Sequence, residues 1–245
     1  VLTSAIEALS RDHFDRRVSA LTQLRVDDVR RPELRGDDEH HLRRVLRARS
    51  GEEIVLTNGH GEYSFATVAD SGITLASDAL VDPPMPERVL YLAPLKGDRS
   101  EVVVVKATEL GITRVVPLCA HHLAVKFKGE ARDKILNRWR RLAAEAVGQC
   151  RRTWDLEIDD PIEVAAVPGD VAVAEFGGTG SLDNVRAIAV GPEGGWAPGE
   201  WGTDRTLIGL GEQVLRADTA AIAAATLLVA AGPGWSRHTA GPEVR

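Results

Sequence analysis

Between about Val18 and Val81 the apolar residues come in short runs that alternate with polar ones, the period-two pattern of half-buried strands. Glu53–Thr57 and Glu62–Val68 read as two strands joined by the turn Asn58-Gly59-His60-Gly61, and Ile73–Ala76 as a third strand after Ser71-Gly72. Ahead of them Asp37–Leu46 reads as a short helix opened by acids, while residues 1 to about 20 give weak signals for either a helix or an extension. The texture changes after Asp82-Pro83-Pro84-Met85-Pro86, the clearest linker in the chain. Beyond it Arg88–Ala93, Arg114–Leu118, Val171–Phe176, Ala187–Val190 and Thr206–Leu210 read as buried strands. A helix from about Glu130 to Gln149 sets Ile135, Trp139, Leu142 and Ala146 on one face, and another starts near Asp218-Thr219 and stops at Gly232-Pro233. Glu101–Leu110 is ambiguous, because Val102–Val105 prefers strand while Lys106–Leu110 before Gly111 reads as a helix reaching its cap.

This order predicts an α/β protein: a small β-rich domain over residues 1–84, then a larger one over 85–245. Strand and helix alternating after residue 87 imply a mostly parallel sheet covered by helices on both faces.

Composition narrows the class. Of 245 residues, 44% are hydrophobic and 27% charged, enough apolar content for a proper core in a soluble globular chain. The longest apolar run, Ala220–Ala231, is too short to span a bilayer, and the first twenty residues lack a secretory apolar core. A cytoplasmic protein without a membrane partner is the expectation. Cys119 and Cys150 stand far apart, which suits reduced thiols, and the pairs His40-His41 and His121-His122 lack the further ligands that a metal site needs.

Net charge is −6, which argues against indiscriminate coating of nucleic acid, but the charges are unevenly placed. Lys126–Arg152 holds nine Lys or Arg against three acids, and the first fifty residues hold eleven arginines against nine acids. The plain reading is solvated helix faces; the functional one is a localised basic surface for phosphates.

Two loops carry the candidate chemistry. Ala189-Val190-Gly191-Pro192-Glu193-Gly194-Gly195-Trp196 reads as a strand ending in a rigid glycine-rich loop that can press bare backbone against a flat ligand. Leu210–Ala220 is a second loop running into a helix. Side by side at strand carboxyl ends, the two would frame a nucleotide-sized cleft, although a tight turn alone would also explain the first. A standard dinucleotide GxGxxG and the GK[ST] of a phosphate loop are both missing.

Five motifs in order resemble the RsmE-type 16S ribosomal RNA uridine-N3 methyltransferases of the SPOUT superfamily: Lys96–Arg99, Lys106–Ile112, Arg138-Trp139 with Glu145-Ala146 and Gln149, Gly191–Gly195, and Leu215–Ala220. Upstream, His41–Leu46 with Gly51 and the Gly59-His60-Gly61 turn is similar to that family's PUA-like RNA-binding domain. The resemblance runs from about residue 36 to 231. It implies S-adenosylmethionine as methyl donor, a C-terminal trefoil knot, a homodimer, and small-subunit ribosomal RNA or the assembled 30S subunit as substrate. Two departures stand out: Asp218 replaces the family's glutamate, and the first thirty residues lack its aromatic opening.

On this reading Gly191, Glu193, Gly194, Gly195, Leu210, Gly211, Val214, Leu215 and Thr219 hold the donor, with Ile208 among the apolar walls. Uridine N3 must lose a proton, so Glu193 is the candidate to orient the loop or assist that proton, and Arg216 to stabilise the resulting negative charge. Their plain alternatives are a loop acid capping backbone N–H groups and an ion pair with Asp218. Arg43, Arg44, Arg47, Lys96, Arg99, Arg138 and Arg152 are the candidates for gripping RNA phosphates. Two other readings stay open: methylation at another RNA position, and a catalytically idle RNA-binding assembly protein.

Overall fold

The computed structural model describes residues 2–232, so Val1 and Pro233, the second half of the expected helix stop, lie outside it. The chain divides into two compact units, one reaching to Pro84 and including Ala144–Asp155, the other comprising Met85–Ala143 and the chain from Leu156 onward.

In the first unit α1 (Leu2–Ser19) precedes β1 (Gln23–Arg25), α2 (Gly36–His40), β2 (Glu53–Thr57), β3 (Glu62–Val68), β4 (Ile73–Leu75) and β5 (Leu80–Val81). The weak opening is therefore a helix. The helix foreseen over 37–46 is α2 continued by one wider turn, His41–Val45, in which Leu46 N–H reaches back to His41 O at 3.0 Å. The sheet runs β1-β2-β3-β4, with β5 also on β3. β2 and β3 form the expected hairpin with Val55 opposite Phe65. Asn58 Oδ1 accepts the N–H groups of His60 and Glu62 at 2.9 and 3.2 Å and so closes the turn. Gly61 is required there: its φ is +90°, and a Cβ would lie 2.5 Å from the Trp154 ring. Alternation does the rest. Ile54, Leu56, Ala66 and Val68 point into one apolar cluster with Leu24, Val29 and Leu42, while Val55, Tyr63 and Phe65 face the other side with Ala20. Residues 144–155, distant in sequence, are fastened in by Gln23 Nε2, which donates to Arg152 O at 2.7 Å.

The second unit contains β6 (Val89–Leu92), α3 (Arg99–Leu110), β7 (Arg114–Cys119), α4 (Gly129–Gln149), β8 (Glu157–Ile158), β9 (Ile162–Glu163), β10 (Ala172–Ala174), β11 (Ala187–Val190), β12 (Leu207–Ile208) and α5 (Ala217–Ala231); the last residues of α4, from Ala144, belong to the first unit. The sheet order is β12-β10-β11-β6-β7-β8, with β9 also on β7, and every pair is parallel. The fold is α/β with a parallel sheet and flanking helices after a β-rich unit. The ambiguous 101–110 segment is helix: Val103, Val104 and Ala107 are buried on one side, and Gly111 at φ +96° caps the end. Burial of a 3.6-period face overrides the local strand preference of the valines.

One expectation needs correcting. The three helices α3, α4 and α5 put residues into the same cluster, Val103 and Val104 from α3, Leu136 and Trp139 from α4, Ala221 and Leu228 from α5, on the side of the sheet that holds Leu90, Leu92, Ile188 and Val190. The other side, with Val89, Tyr91, Val116 and Val173, is packed by the short turn Val164–Ala166 and by Trp196 and Trp201, whose rings meet edge-to-face at 4.9 Å. Loop aromatics take the place of a helix there, since two large rings bury enough apolar area to close a sheet face.

Candidate functional site

The parallel sheet delivers three chain segments to one place. β10, β11 and β12 end at Ala174, Val190 and Ile208, and the loops leaving them wall a cavity of about 370 Å³. That volume lies within the ordinary range for small-molecule sites, and the position outside strand carboxyl ends is the usual one for open α/β sheets. Gly191, Pro192, Glu193, Gly195 and Trp196 line one side; Leu210, Gly211, Gln213, Val214, Leu215 and Arg216 line the other. Phe176 follows β10 and Arg99 opens α3, and both also face the cavity.

The glycines shape the wall. Gly195 has φ +68° and its N–H closes a turn onto Pro192 O at 2.9 Å. At Gly191 a Cβ would stand 3.0 Å from the Trp196 ring, so the bare backbone lets the indole lie flat against the strand end. Outside the cavity Gly209 presses on the Gly178 carbonyl, where a Cβ would come within 2.5 Å of the oxygen. Around this backbone the apolar side chains are left wet: Val214 is 82% and Phe176 64% exposed. Exposed apolar walls beside backbone donors and acceptors suit a ligand with a flat ring.

Of the expected donor-site residues, Gly191, Glu193, Gly195, Leu210, Gly211, Val214 and Leu215 line the cavity, and Arg216 with them. Three do not. Gly194 turns its back on the cavity, and a Cβ there would meet His122 Cβ at 2.9 Å. Thr219 sits exposed on α5 outside the lining, and Ile208 is buried in the core. Loop dihedrals and helix phase decide these directions, and neither is written in residue type.

Glu193 Oε1 accepts the Lys96 N–H at 2.8 Å and an Arg99 guanidinium N–H at 3.2 Å. It therefore staples the loop after β11 to the start of α3. Arg216 is 67% exposed at its side chain and lies 3.8 Å from Asp218 Oδ1, a loose pair that leaves its fork facing the cavity.

The cations expected to grip RNA divide. Arg44, Arg47 and Lys96 are exposed. Arg43 is half-buried and donates to the Ala69 and Gly72 carbonyls across the β3–β4 turn. Arg138 pairs with Glu101 at 3.0 Å. Arg152 is half-buried, donates to Asp155 O, and burial lowers its pKa. Arg99 belongs to the cavity wall. Sequence reasoning missed Phe176 and Gln213; Phe176 ends an apolar run just where a strand reaches its carboxyl end, a signal that was available. Among the described residues no group of three His, Cys, Asp or Glu gathers as a metal cage, and no helix is long and apolar enough to cross a membrane.

Known proteins share the sequence and the fold. The RNA methyltransferase domain family matches residues 83–229, and the RNA methyltransferase PUA domain family matches residues 34–72. The ribosomal RNA small subunit methyltransferase E of Mycobacterium tuberculosis is 32% identical over 215 residues, covering 77% of this chain and 82% of that protein. A Legionella pneumophila protein described as a methyltransferase, solved in complex with SAM, superposes with a TM-score of 0.74 at 26% identity over 86% of this chain and 97% of its own. The ribosomal RNA small subunit methyltransferase E of Neisseria gonorrhoeae, bound to S-adenosyl methionine, gives 0.69 at 25% identity over 83% and 94%. With the family matched over more than half of the chain and its relatives aligned along most of their length, the chain belongs to the RNA methyltransferase family that includes the ribosomal RNA small subunit methyltransferases E.

Proposed function

We infer that this protein is an S-adenosylmethionine-dependent methyltransferase acting on N3 of a uridine in small-subunit ribosomal RNA. The observation that carries the reading is the cavity framed by the Gly191–Trp196 and Leu210–Arg216 loops, in a fold shared with relatives solved with this donor. The residues present fit the group. The lining joins bare backbone at Gly191, Gly195 and Gly211 to the apolar walls of Phe176, Val214 and Leu215. Gly195 and Gly211, both at positive φ, have open space where a side chain would project.

When bound, S-adenosylmethionine supplies a methyl group on a sulfonium that needs no further activation. The protein's task is then to hold donor and acceptor in line. Glu193, held by the Lys96 N–H and Arg99, keeps the glycine loop in position and acts as a positioning residue. Arg216 faces the cavity with its charge only loosely paired, placed to stabilise the negative charge that uridine O2 or O4 gains as the N3 proton leaves. N3 lies on the pairing edge, so the target base must be unpaired and turned out of its stack.

The same reading takes residues 1–84 as an extension plus PUA-like RNA-binding domain and 85–245 as the methyltransferase domain. It also includes the family's trefoil knot, a homodimer with each cavity near the partner subunit, and cytoplasmic action on free or assembled small-subunit RNA.

The test is calorimetric titration with S-adenosylmethionine, wild type against Gly195→Val, followed by mapping of the methylated nucleoside. Wild type should bind and the variant should lose affinity at least about tenfold, since a β-branched residue resists positive φ. Product RNA should contain N3-methyluridine. A methyl group on another atom would transfer the assignment to a different RNA position. Folded wild-type protein that fails to bind the donor would favour the idle RNA-binding alternative.

A further inference from the structure

The donor cavity does not account for the paired histidines or for the basic stretch that follows them. These meet at a second cavity, wholly within the α/β unit, at the carboxyl end of β7. Its walls are the chain leaving β7 from Cys119 to Leu123, the segment Val125–Gly129 leading into α4, and the loop Ala197–Glu200. At about 1150 Å³ it exceeds the usual size of a small-molecule pocket. A polymer strand fits such a volume better than a compact metabolite does.

Its lining is cationic. Lys126 and Lys128 are exposed on it; Arg132, one turn into α4, is half-buried in it and already paired with Asp133 at 2.8 Å. Both Lys128 and Arg132 act on the Cys119 thiol, which burial and then Glu163 push up and these two cations pull down. The cations of this segment therefore converge on one hollow. Against them stand Glu163 and Glu200. Glu200 is already occupied: Oε1 accepts the His121 N–H at 2.6 Å and Oε2 the Ala197 N–H at 2.7 Å, so this carboxylate fastens two walls together. The cavity also contains Gly129, the first residue of the 21-residue α4, whose free N–H groups add partial positive charge at the same place.

The imidazoles give the surface a second character. His121 and His122 are exposed, and their rings stand at 69° with centroids 5.3 Å apart. Two flat, hydrogen-bonding rings beside two exposed lysines match what an unpaired nucleotide presents, a base face on one side and a phosphate on the other.

Position supplies the last argument. One loop walls both cavities: Gly191–Trp196 faces the donor cavity and Ala197–Glu200 faces this one. Between them Gly194 lies against His122, so close that a Cβ would come within 2.9 Å of the histidine's own. A strand held here lies one loop's thickness from the donor.

We propose that this second cavity is the subsite for the RNA strand next to the target nucleotide, with Lys126 and Lys128 meeting backbone phosphates and the His121-His122 pair supporting an unstacked base. The assignment rests on the RNA methyltransferase reading and adds to it the surface that presents the substrate. Within the broad basic segment 126–152 it singles out Lys126 and Lys128, since Arg132, Arg138 and Arg152 are engaged elsewhere.

The test uses the full chain carrying Lys126→Glu with Lys128→Glu, and in parallel Lys126→Gln with Lys128→Gln, which removes charge without reversing it. Binding to a small-subunit ribosomal RNA transcript and to purified small ribosomal subunits is measured across a salt series, with S-adenosylmethionine titration of each variant as the check on folding. We expect the Glu pair to weaken RNA binding at least about tenfold at 0.1 M salt. Both pairs should lower the slope of log affinity against log salt by about 1.5 to 2, the loss of two phosphate contacts. Donor affinity should stay within about twofold of wild type. Variants that bind donor normally and keep wild-type RNA affinity and slope on both probes would overturn the subsite while leaving the enzyme reading intact. Wild-type protein that binds the donor but neither RNA probe would overturn the subsite as well, and failure to bind even the donor would remove the reading beneath it.

Discussion

The β-rich unit and the α/β unit put some of their cations to different work. In the β-rich unit several arginines tie the fold together. Arg17 is 6% exposed, stacks 4.5 Å above the Tyr63 ring and pairs with Asp82, whose carboxylate also accepts the Thr153 hydroxyl at 2.7 Å. Arg16 joins Glu53 at 3.0 Å and covers the Phe65 ring, Arg25 pairs with Asp155, and Arg151 donates to Ala20 O at 2.9 Å. In the α/β unit Arg216, Lys126 and Lys128 instead face cavities, with their charges loosely paired or exposed. The difference teaches how a basic sequence is to be read. A cation beside an available carbonyl or carboxylate becomes structure, and only one whose neighbours are otherwise engaged stays available for phosphate.

The comparison breaks most visibly at Asp82. Asp82→Ala leaves Arg17 buried without its carboxylate, so it should cost about 3 kcal/mol and lower the Tm of the β-rich unit by roughly 10 °C. A loss under about 1 kcal/mol in thermal or urea unfolding would mean that solvent already screens the pair.

Arg43 and Arg44 sharpen it next, being neighbours with opposite assignments. Arg43→Ala frees the Ala69 and Gly72 carbonyls and should cost about 1–2 kcal/mol with little change in the salt slope of RNA binding. Arg44→Glu should leave stability within about 0.5 kcal/mol and reduce that slope by about one. Charge alone, as read from the sequence, made the two equivalent; equal effects of both variants on RNA binding would restore that equivalence.

The smallest effect tests the acids. Glu62, in the first unit, is held low in pKa by its hydrogen bond to Arg30. Asp159, in the second, is raised by burial despite Arg114 3.7 Å away. A raised folded-state pKa means that the ionised carboxylate is disfavoured on folding, a penalty present above that pKa and absent below the unfolded value. Asp159→Asn should therefore raise Tm at pH 7, by no more than about 1–2 °C because the group is part-exposed, and the gain should vanish near pH 3.

Much of the site was legible because it is built from backbone. Gly191, Gly195 and Gly211 announce loops that side chains would obstruct, and Pro192 stiffens one of them, so the cavity's frame follows from residue type. Glu193 is different. Its identity suggested a loop-orienting residue, a helper for the N3 proton or a capping acid, and the 2.8 Å bond from the Lys96 N–H, a contact across nearly a hundred residues of sequence, supports the cap. Gly194 and Gly195 look alike in the sequence, yet one supports His122 and the other faces the cavity.

By itself the sequence determined the parallel α/β plan, the Asn58–Gly61 hairpin, the proline linker and the two loops at strand ends, because these depend on local periodicity and on the conformations that glycine and proline allow. The tertiary structure alone decided that residues 144–155 pack with the first unit, that loop tryptophans close the second sheet face, and that Lys126, Lys128 and Arg132 share a hollow with two histidines. Those outcomes depend on which distant groups come within contact distance of one another, and a pattern repeating every two or 3.6 residues carries no information about partners that far away.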